Sequence, residues 1–280
     1  MFQTIKKLLL TALLLLSVSA FSQRFRNGIN EMGILVGGGN YFGDLAPEIV
    51  LKETHPALGL FYKYHHSRYY TSRYQFAYTK VSGNDKNFTA NAYRSLSFES
   101  NIFELGYSGE FNFRGYGANS NQREESSTSY VFAGFNLFMF NPTAELPSGD
   151  RVELKDIGTE GQKLKGKTKK TYSTIQPNIS FGLGYKFNVK KTTVIGIEFG
   201  FRKLFTDYLD DTKGAYPDYQ MMVSKQGIGA AELSQPQTTQ GKPVIAAGTM
   251  RGDNHLNDWY FITGITISFR NILREPCPSM

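Results

Sequence analysis

Beyond residue 22 the sequence holds no apolar run long enough to cross a bilayer as a helix, which takes about 20 residues. That excludes helical spans but not a β-barrel, whose strands need only about ten residues of alternating polarity. There is one cysteine, Cys277, so no internal disulfide can form. In an exported chain, either it bonds a second chain or it is an idle thiol. Histidine is scarce, with four residues. Neither His-Glu-x-x-His nor Gly-x-Ser-x-Gly occurs, so two widespread hydrolase arrangements are missing. Gly37-Gly38-Gly39 lacks the register and the following helix of a phosphate loop. The charge excess is small, +7 over the full chain, and the basic residues are spread out, so no nucleic-acid partner is expected.

What is present starts with an export signal. Lys6 and Lys7 precede an apolar run from Leu8 to Leu16, and small residues follow at Ser17, Ser19, Ala20 and Ser22. This order reads as a cleaved secretory signal over 1–22. No cysteine adjoins the cleavage site, so a lipid-modified N-terminus is not expected. Aromatic residues make up 14% of the chain and glycine contributes 28 residues, a composition that suits barrel walls and interfacial girdles.

Period-two alternation marks eight strands. They are Glu31 to Gly39, Ala57 to His65, Tyr70 to Thr79, Phe103 to Phe113, Tyr130 to Phe140, Ile175 to Phe187, Ile195 to Arg202 and Trp259 to Phe269. The fourth sets Phe103, Leu105, Tyr107, Phe111 and Phe113 against Glu104, Gly106, Ser108, Glu110 and Asn112. The fifth is apolar on both faces. The polar faces favour small residues and carry four acids (Glu31, Glu104, Glu110, Glu198) and four bases (Lys63, Arg73, Lys186, Arg202). Solvated sandwich faces rarely look like this; a crowded lumen with cancelling charge does. The expected fold is therefore all-β: a transmembrane, antiparallel, up-and-down barrel of eight strands over 23–269, OmpA/OmpX-like, with outer-membrane lipid around it. Ten strands would require the 206–257 segment to supply a hairpin. Gaps at 41–55, 80–100, 141–173 and 206–257 are long and belong outside the cell, so both chain ends face the periplasm. Gly115 to Thr128 is a long connection on the side expected to be short. Eight strands close too narrow a barrel for an aqueous channel.

The remaining candidates are weak. His65 and His66 point to opposite faces of a strand and cannot share an ion. His255, with Asp253 and Asp258, reads as a solvated loop, and no metal or cofactor is expected. A lipid-modifying enzyme would need a serine, a histidine and an acid at one rim, and His55 and His255 are the candidates there. The expectation is no catalysis. Lys163, Lys165, Lys167, Lys169 and Lys170 read as a solvated loop, and Arg251-Gly252-Asp253 is too short to signify adhesion. The 270–280 tail reads as periplasmic.

Three stretches carry a family resemblance. Glu31-Met-Gly-Ile-Leu-Val-Gly-Gly-Gly-Asn-Tyr-Phe-Gly43-Asp44-Leu45 resembles the first strand and loop of PorG-like barrels. Leu204-Phe-Thr-Asp-Tyr-Leu-Asp210-Asp211 is similar to their exit from the seventh strand, and Arg251-Gly-Asp-Asn-His-Leu-Asn-Asp258-Trp259-Tyr260 to their entry into the last. Gly264-Ile-Thr-Ile267-Ser-Phe269 looks like a terminal assembly signal. The resemblance implies a non-enzymatic component of the type IX secretion system of Bacteroidota. It would anchor a periplasmic ring of a PorK/GldK-like lipoprotein and a PorN/GldN-like protein. The tail would then be the contact, with Arg270, Ile272, Leu273, Arg274 and Cys277 as the partner-binding residues. The alternative is a surface barrel that binds ligands or adheres through its outer loops.

Overall fold

A computed structural model describes residues 29–116, 126–164, 171–190, 192–253 and 257–271. The signal 1–22, most of the Gly115 to Thr128 connection, Lys165 to Lys170, His255 and the tail residues Ile272, Leu273, Arg274 and Cys277 lie outside them. The wall is built from β1 (Ile29–Phe42), β2 (His55–His65), β3 (Tyr70–Asn84), β4 (Ser97–Asn112), β5 (Ser127–Glu145), β7 (Ile175–Asn188), β8 (Thr193–Leu204) and β9 (Trp259–Asn271). Each strand pairs antiparallel with its sequence neighbour in the wall, and the β1–β9 pairing closes the ring. A three-residue strand, β6 (Arg151–Glu153), pairs only with the end of β5. The barrel therefore has eight wall strands. The 206–257 segment adds none; it forms helices Tyr219–Gln226 and Ile228–Ser234 and a 3-10 turn at Pro236–Gln240.

The strands hold because each residue type sits on the face its chemistry requires. On β4, Phe103, Leu105, Tyr107 and Phe111 are exposed while Ile102, Glu104, Ser108 and Glu110 are buried. The doubly apolar β5 resolves the same way. Val131, Phe135, Leu137 and Met139 face out, and Tyr130, Phe132, Phe138 and Phe140 face in. Inward glycines make room for those rings: a Cβ at Gly184 or Gly182 would collide with Tyr130 or Phe132.

Connections sort by length. The β2–β3 turn is tight, with Ser67 Oγ accepting from the Tyr70 amide at 2.9 Å. The β7–β8 turn is closed by the Val189 amide donating to the Thr193 carbonyl at 3.0 Å. Both turns share an end of the barrel with the start of β1 and the finish of β9, hereafter the turn end. The β4–β5 connection, 113–126, is the exception, long and at the turn end; the other long connections gather at the opposite loop end. There Asp218 caps its helix by accepting from the Met221 amide at 2.7 Å.

Candidate functional site

The outer surface is a continuous apolar belt. Met32, Leu105 and Phe135 are 64%, 64% and 72% exposed, and Ile34, Leu58, Leu60, Phe76, Leu183, Phe199 and Ile265 continue the belt around the ring. An apolar surface this extensive would aggregate in water and belongs against acyl chains. At its loop-end edge Lys203 Nζ lies 5.3 Å from the Trp259 ring centroid, an interfacial arrangement of cation and aromatic. The wall is that of a membrane-spanning barrel of outer-membrane type. No helix among the described residues is long and apolar enough to span a membrane; the strands do so.

All eight lumen charges expected from the sequence are buried and face inward. Glu110 is held by Lys63 at 2.8 Å, Lys186 at 3.1 Å and Arg73 at 3.5 Å. Arg73 also reaches Glu198, 2.5 Å away on the far wall, and Tyr130 donates to that same carboxylate at 2.8 Å. One layer towards the loops, Arg202 faces Glu104 at 3.4 Å. Tyr260 donates to Glu104 from the opposite side of the ring. Side chains thus meet across the full width of the lumen, and the barrel is filled at these levels.

Two further members of this interior escaped the sequence reading, and one corrects it. Arg270 is not a free tail contact. It lies on β9, is 3% exposed, and points inward. Its guanidinium stacks over Tyr116 at 4.7 Å, donates to Asn188 Oδ1 at 3.1 Å and lies 3.9 Å from Glu31. Period two puts it there, because Thr266, Ser268 and Arg270 share the inward face. The barrel therefore runs to Asn271, and a tail starting at 270 is one turn of alternation too early. The second is His65, buried with Nε2 3.1 Å from Glu31 and Nδ1 3.0 Å from Thr71 Oγ1. Glu31, Arg270, His65 and Tyr116 close the turn end.

The loop end is closed differently. The Tyr41 hydroxyl, at the top of β1, lies 2.8 Å from a carboxyl oxygen of both Asp210 and Asp258 and donates its one proton to one of them. Asp258 also accepts from the Leu209 amide at 3.0 Å. Asp258 is thus a buried structural acceptor and not part of a solvated loop. Burial and neighbouring carboxylates push the Asp210 and Asp258 carboxyls well above the ordinary range. Arg94 grips Asp85 through two nitrogens, at 2.7 and 3.1 Å, and donates to the carbonyls of Asp44 and Arg251. Arg251 is itself buried and donates to Thr159 Oγ1 at 2.8 Å, so the Arg251-Gly252-Asp253 tripeptide is not displayed with its arginine free. The described part of the expected basic run, Lys163, donates to the Asp156 carbonyl.

A serine, a histidine and an acid do meet at the loop-end rim. Ser82 Oγ lies 2.7 Å from His55 Nε2 and donates to Glu53. The order is wrong for nucleophilic catalysis. The single hydroxyl proton goes to the glutamate, so the histidine must donate to the serine and cannot take its proton. Between the loops a cleft of about 460 Å³ opens, lined among others by Lys86, Glu145, Leu146, Asp210, Glu232 and Arg251. Among the described residues no three Asp, Glu, His or Cys side chains stand at metal-ligating spacing.

The chain belongs to the family described as Domain of unknown function (DUF6089), which matches residues 6–227. None of the curated proteins matches it. Among solved structures it is similar to Ail, the attachment invasion locus protein of Yersinia pestis, in complex with the heparin analogue sucrose octasulfate. The identity is 10%, with 88% of this chain and 99% of that chain covered and a TM-score of 0.42. It is similar to the outer membrane protein OprG from Pseudomonas aeruginosa at 9% identity, covering 88% and 96%, with a TM-score of 0.41. It is also similar to Neisserial surface protein A, at 9% identity, covering 86% and 96%, with a TM-score of 0.40.

Proposed function

We propose that this DUF6089 barrel is a non-enzymatic outer-membrane anchor that works through its ends and conducts nothing. The observation that carries this reading is the lumen, bridged wall to wall by Arg73–Glu198 and Tyr260–Glu104 and sealed by Arg270 at one end and the loops at the other. A filled barrel offers rigidity, lipid attachment and two presented surfaces. The turn end would face the periplasm, with the 272–280 tail leaving beside Arg270. If the resemblance to PorG-like barrels holds, that tail would be the contact for a PorK/GldK-like and PorN/GldN-like ring of a type IX secretion system, with Ile272, Leu273, Arg274 and Cys277 as the residues offered. The test is deletion of 272–280. The barrel should still assemble, and ring proteins should no longer co-purify with it. Unchanged co-purification would overturn the reading.

The cleft between the loops favours a second reading, a surface barrel that binds a ligand outside the cell. Replacing Glu232 and Glu145 in its lining would then abolish surface binding and leave secretion intact. Loss of secretion with binding preserved would exclude it.

A further inference from the structure

The lipid-facing wall is not evenly covered. Gly109 on β4 pairs with Ala133 on β5, and Ala133 with Phe181 on β7, so two of three neighbouring outward positions carry almost no side chain. A groove of about 560 Å³ opens there. Gly109, Val131 and Ala133 form its floor, and Phe111, Phe181 and Leu183 stand at its sides. Tyr70 of β3 shuts one edge, its ring 3.1 Å from the place a Gly109 Cβ would occupy. Phe135, 72% exposed, stands at the loop-end side. The side chains around the groove are apolar, so it suits hydrocarbon and rejects polar groups. It lies on the outer face, apart from the loop-end cap of Tyr41, Asp210 and Asp258 and apart from the tail.

The depth of the groove and the charge at its mouth narrow the occupant. Ala133 lies six residues beyond Ser127, the turn-end start of β5. That is about 20 Å of strand and, at a tilt of about 40°, about 15 Å of depth. A hydrocarbon core is about 30 Å thick, so the groove lies one leaflet deep, at the far end of an acyl chain. The outward positions between are Val131 and Ser129. They run low between Phe111 and Phe113 on one side and Leu183 and Tyr185 on the other. Two exposed cations flank the mouth. The Arg114 amide donates to Thr128 Oγ1 at 3.1 Å, and Lys190 follows Asn188, whose amide donates to the Ser126 carbonyl at 2.7 Å. The strand ends that carry them lie either side of β5, about 10 Å apart. Neither cation forms an ion pair among the described residues, and the described turn-end connections contain no acid. We propose that this groove binds one anionic phospholipid of the leaflet at the turn end. One acyl chain lies along β5 into the groove, and the phosphate sits at the mouth between Arg114 and Lys190. Each such cation favours an anionic headgroup by about fivefold. The site depends on the membrane wall alone and stands or falls independently of ring anchoring.

The experiment uses the full mature barrel, stripped of lipid in detergent, and native mass spectrometry. Phosphatidylglycerol and phosphatidylcholine with the same chains are offered at equal concentration. One phosphatidylglycerol per barrel should be retained, at least about tenfold over phosphatidylcholine. Ala133→Phe fills the floor with an apolar side chain that the lipid face accepts, and it should abolish retention. Leu60→Phe, the same kind of change on the exposed face of β2, should not. Arg114→Gln combined with Lys190→Gln should bring the two lipids to equal retention. Folding of every variant is checked by heat-modifiable migration on a gel, and Ala133→Leu stands in if Ala133→Phe does not fold. No retained lipid, or retention unchanged by filling the floor, would overturn the proposal. Equal retention of both lipids by the wild type, or a preference that survives loss of both cations, would overturn the headgroup assignment. A triacylated lipopeptide that displaces phosphatidylglycerol would give the groove to a lipoprotein anchor, and a dimer lost on filling the floor would give it to a second copy; either result refutes the phospholipid.

Discussion

Glu110 offers the sharpest test of the lumen. It is fully buried, at 0% exposure, and touches Lys63 at 2.8 Å, Lys186 at 3.1 Å and Arg73 at 3.5 Å. Arg73 has a second carboxylate in Glu198, but Lys63 and Lys186 form no other ion pair within 4 Å among the described residues. Glu110→Gln keeps the shape and removes the charge. It leaves two buried ammonium groups facing a neutral amide, and breaking a buried pair this way costs about 3–5 kcal/mol. Lys63→Met placed on top removes one stranded cation and restores the net charge of the cluster. The double variant should recover roughly half of that loss, a coupling within the 0.5–3 kcal/mol typical of contacting residues. The assay is denaturant unfolding of the refolded barrel in lipid vesicles. Trp259, the single tryptophan, gives an uncrowded fluorescence signal at the membrane edge. A Glu110→Gln loss below about 1 kcal/mol, or a double variant equal to the sum of its parts, would refute the claim that these charges are mutually dependent.

Other consequences follow from the same geometry. Leu105→Arg puts a charge on the lipid face and should cost about 2–4 kcal/mol by vesicle unfolding, whereas Leu51→Arg, in a loop where the residue is already 84% exposed, should change nothing measurable. Arg270→Ala empties the contact with Tyr116, Asn188 and Glu31, so amide exchange in β9 and at Asn188 should accelerate while loop-end amides keep wild-type protection. Burial and the charges of Asp44, Asp253 and Glu160 push the Asp207 carboxyl up to about 7. The folded cap then holds a proton that the unfolded chain, at about 3.9, releases. Stability from this group is therefore present below pH 4 and declines as pH rises from about 4 to about 7. Intrinsic-rate-corrected exchange over 205–216 should be faster at pH 8 than at pH 5, and equal protection at both would contradict this assignment.

The wall was legible because two solvents impose a strict period. Lipid outside and packed charge inside force Phe103, Leu105 and Tyr107 one way and Glu104 and Glu110 the other, and no other register keeps both sets satisfied. The same rule contained Arg270, two residues beyond Ser268 on the inward face. The terminal-looking Phe269 hid it by suggesting that the strand stops there. His65 shares the inward face of β2 with Phe61 and Lys63 and could have been read in the same way. The cap was illegible. Asp44, Asp210 and Asp258 stand in recognisable motifs. The convergence of Asp210 and Asp258 on Tyr41, however, joins β1 to both ends of the 205–258 connection, and no local pattern encodes contacts between positions so far apart. The helices at 219–234 escaped for a related reason: they pack against other loops rather than the wall, so their apolar spacing is short and broken.

The interior is sorted by charge along the barrel axis, and this sorting assigns the two ends different tasks. Lys63, Arg73, Lys186 and Arg270 gather in the turn-end half, each within reach of Glu31, Glu110 or Glu198, and Arg202 pairs with Glu104 one layer nearer the loops. Above them lies an apolar plug that includes Phe98, Ile102, Phe138, Phe140 and Ile262. Beyond the plug come the carboxylates of the cap. The plug, crossed only by the Arg202–Glu104 pair among the ion pairs of the described residues, keeps the turn-end lysines away from the cap acids. The turn-end half is therefore self-sufficient and rigid, as an attachment point requires. The loop-end half pairs Arg94 with Asp85 and Arg251 with Asp211 but leaves both oxygens of Asp207 without a hydrogen-bond partner, so it is the half whose stability should follow the pH outside.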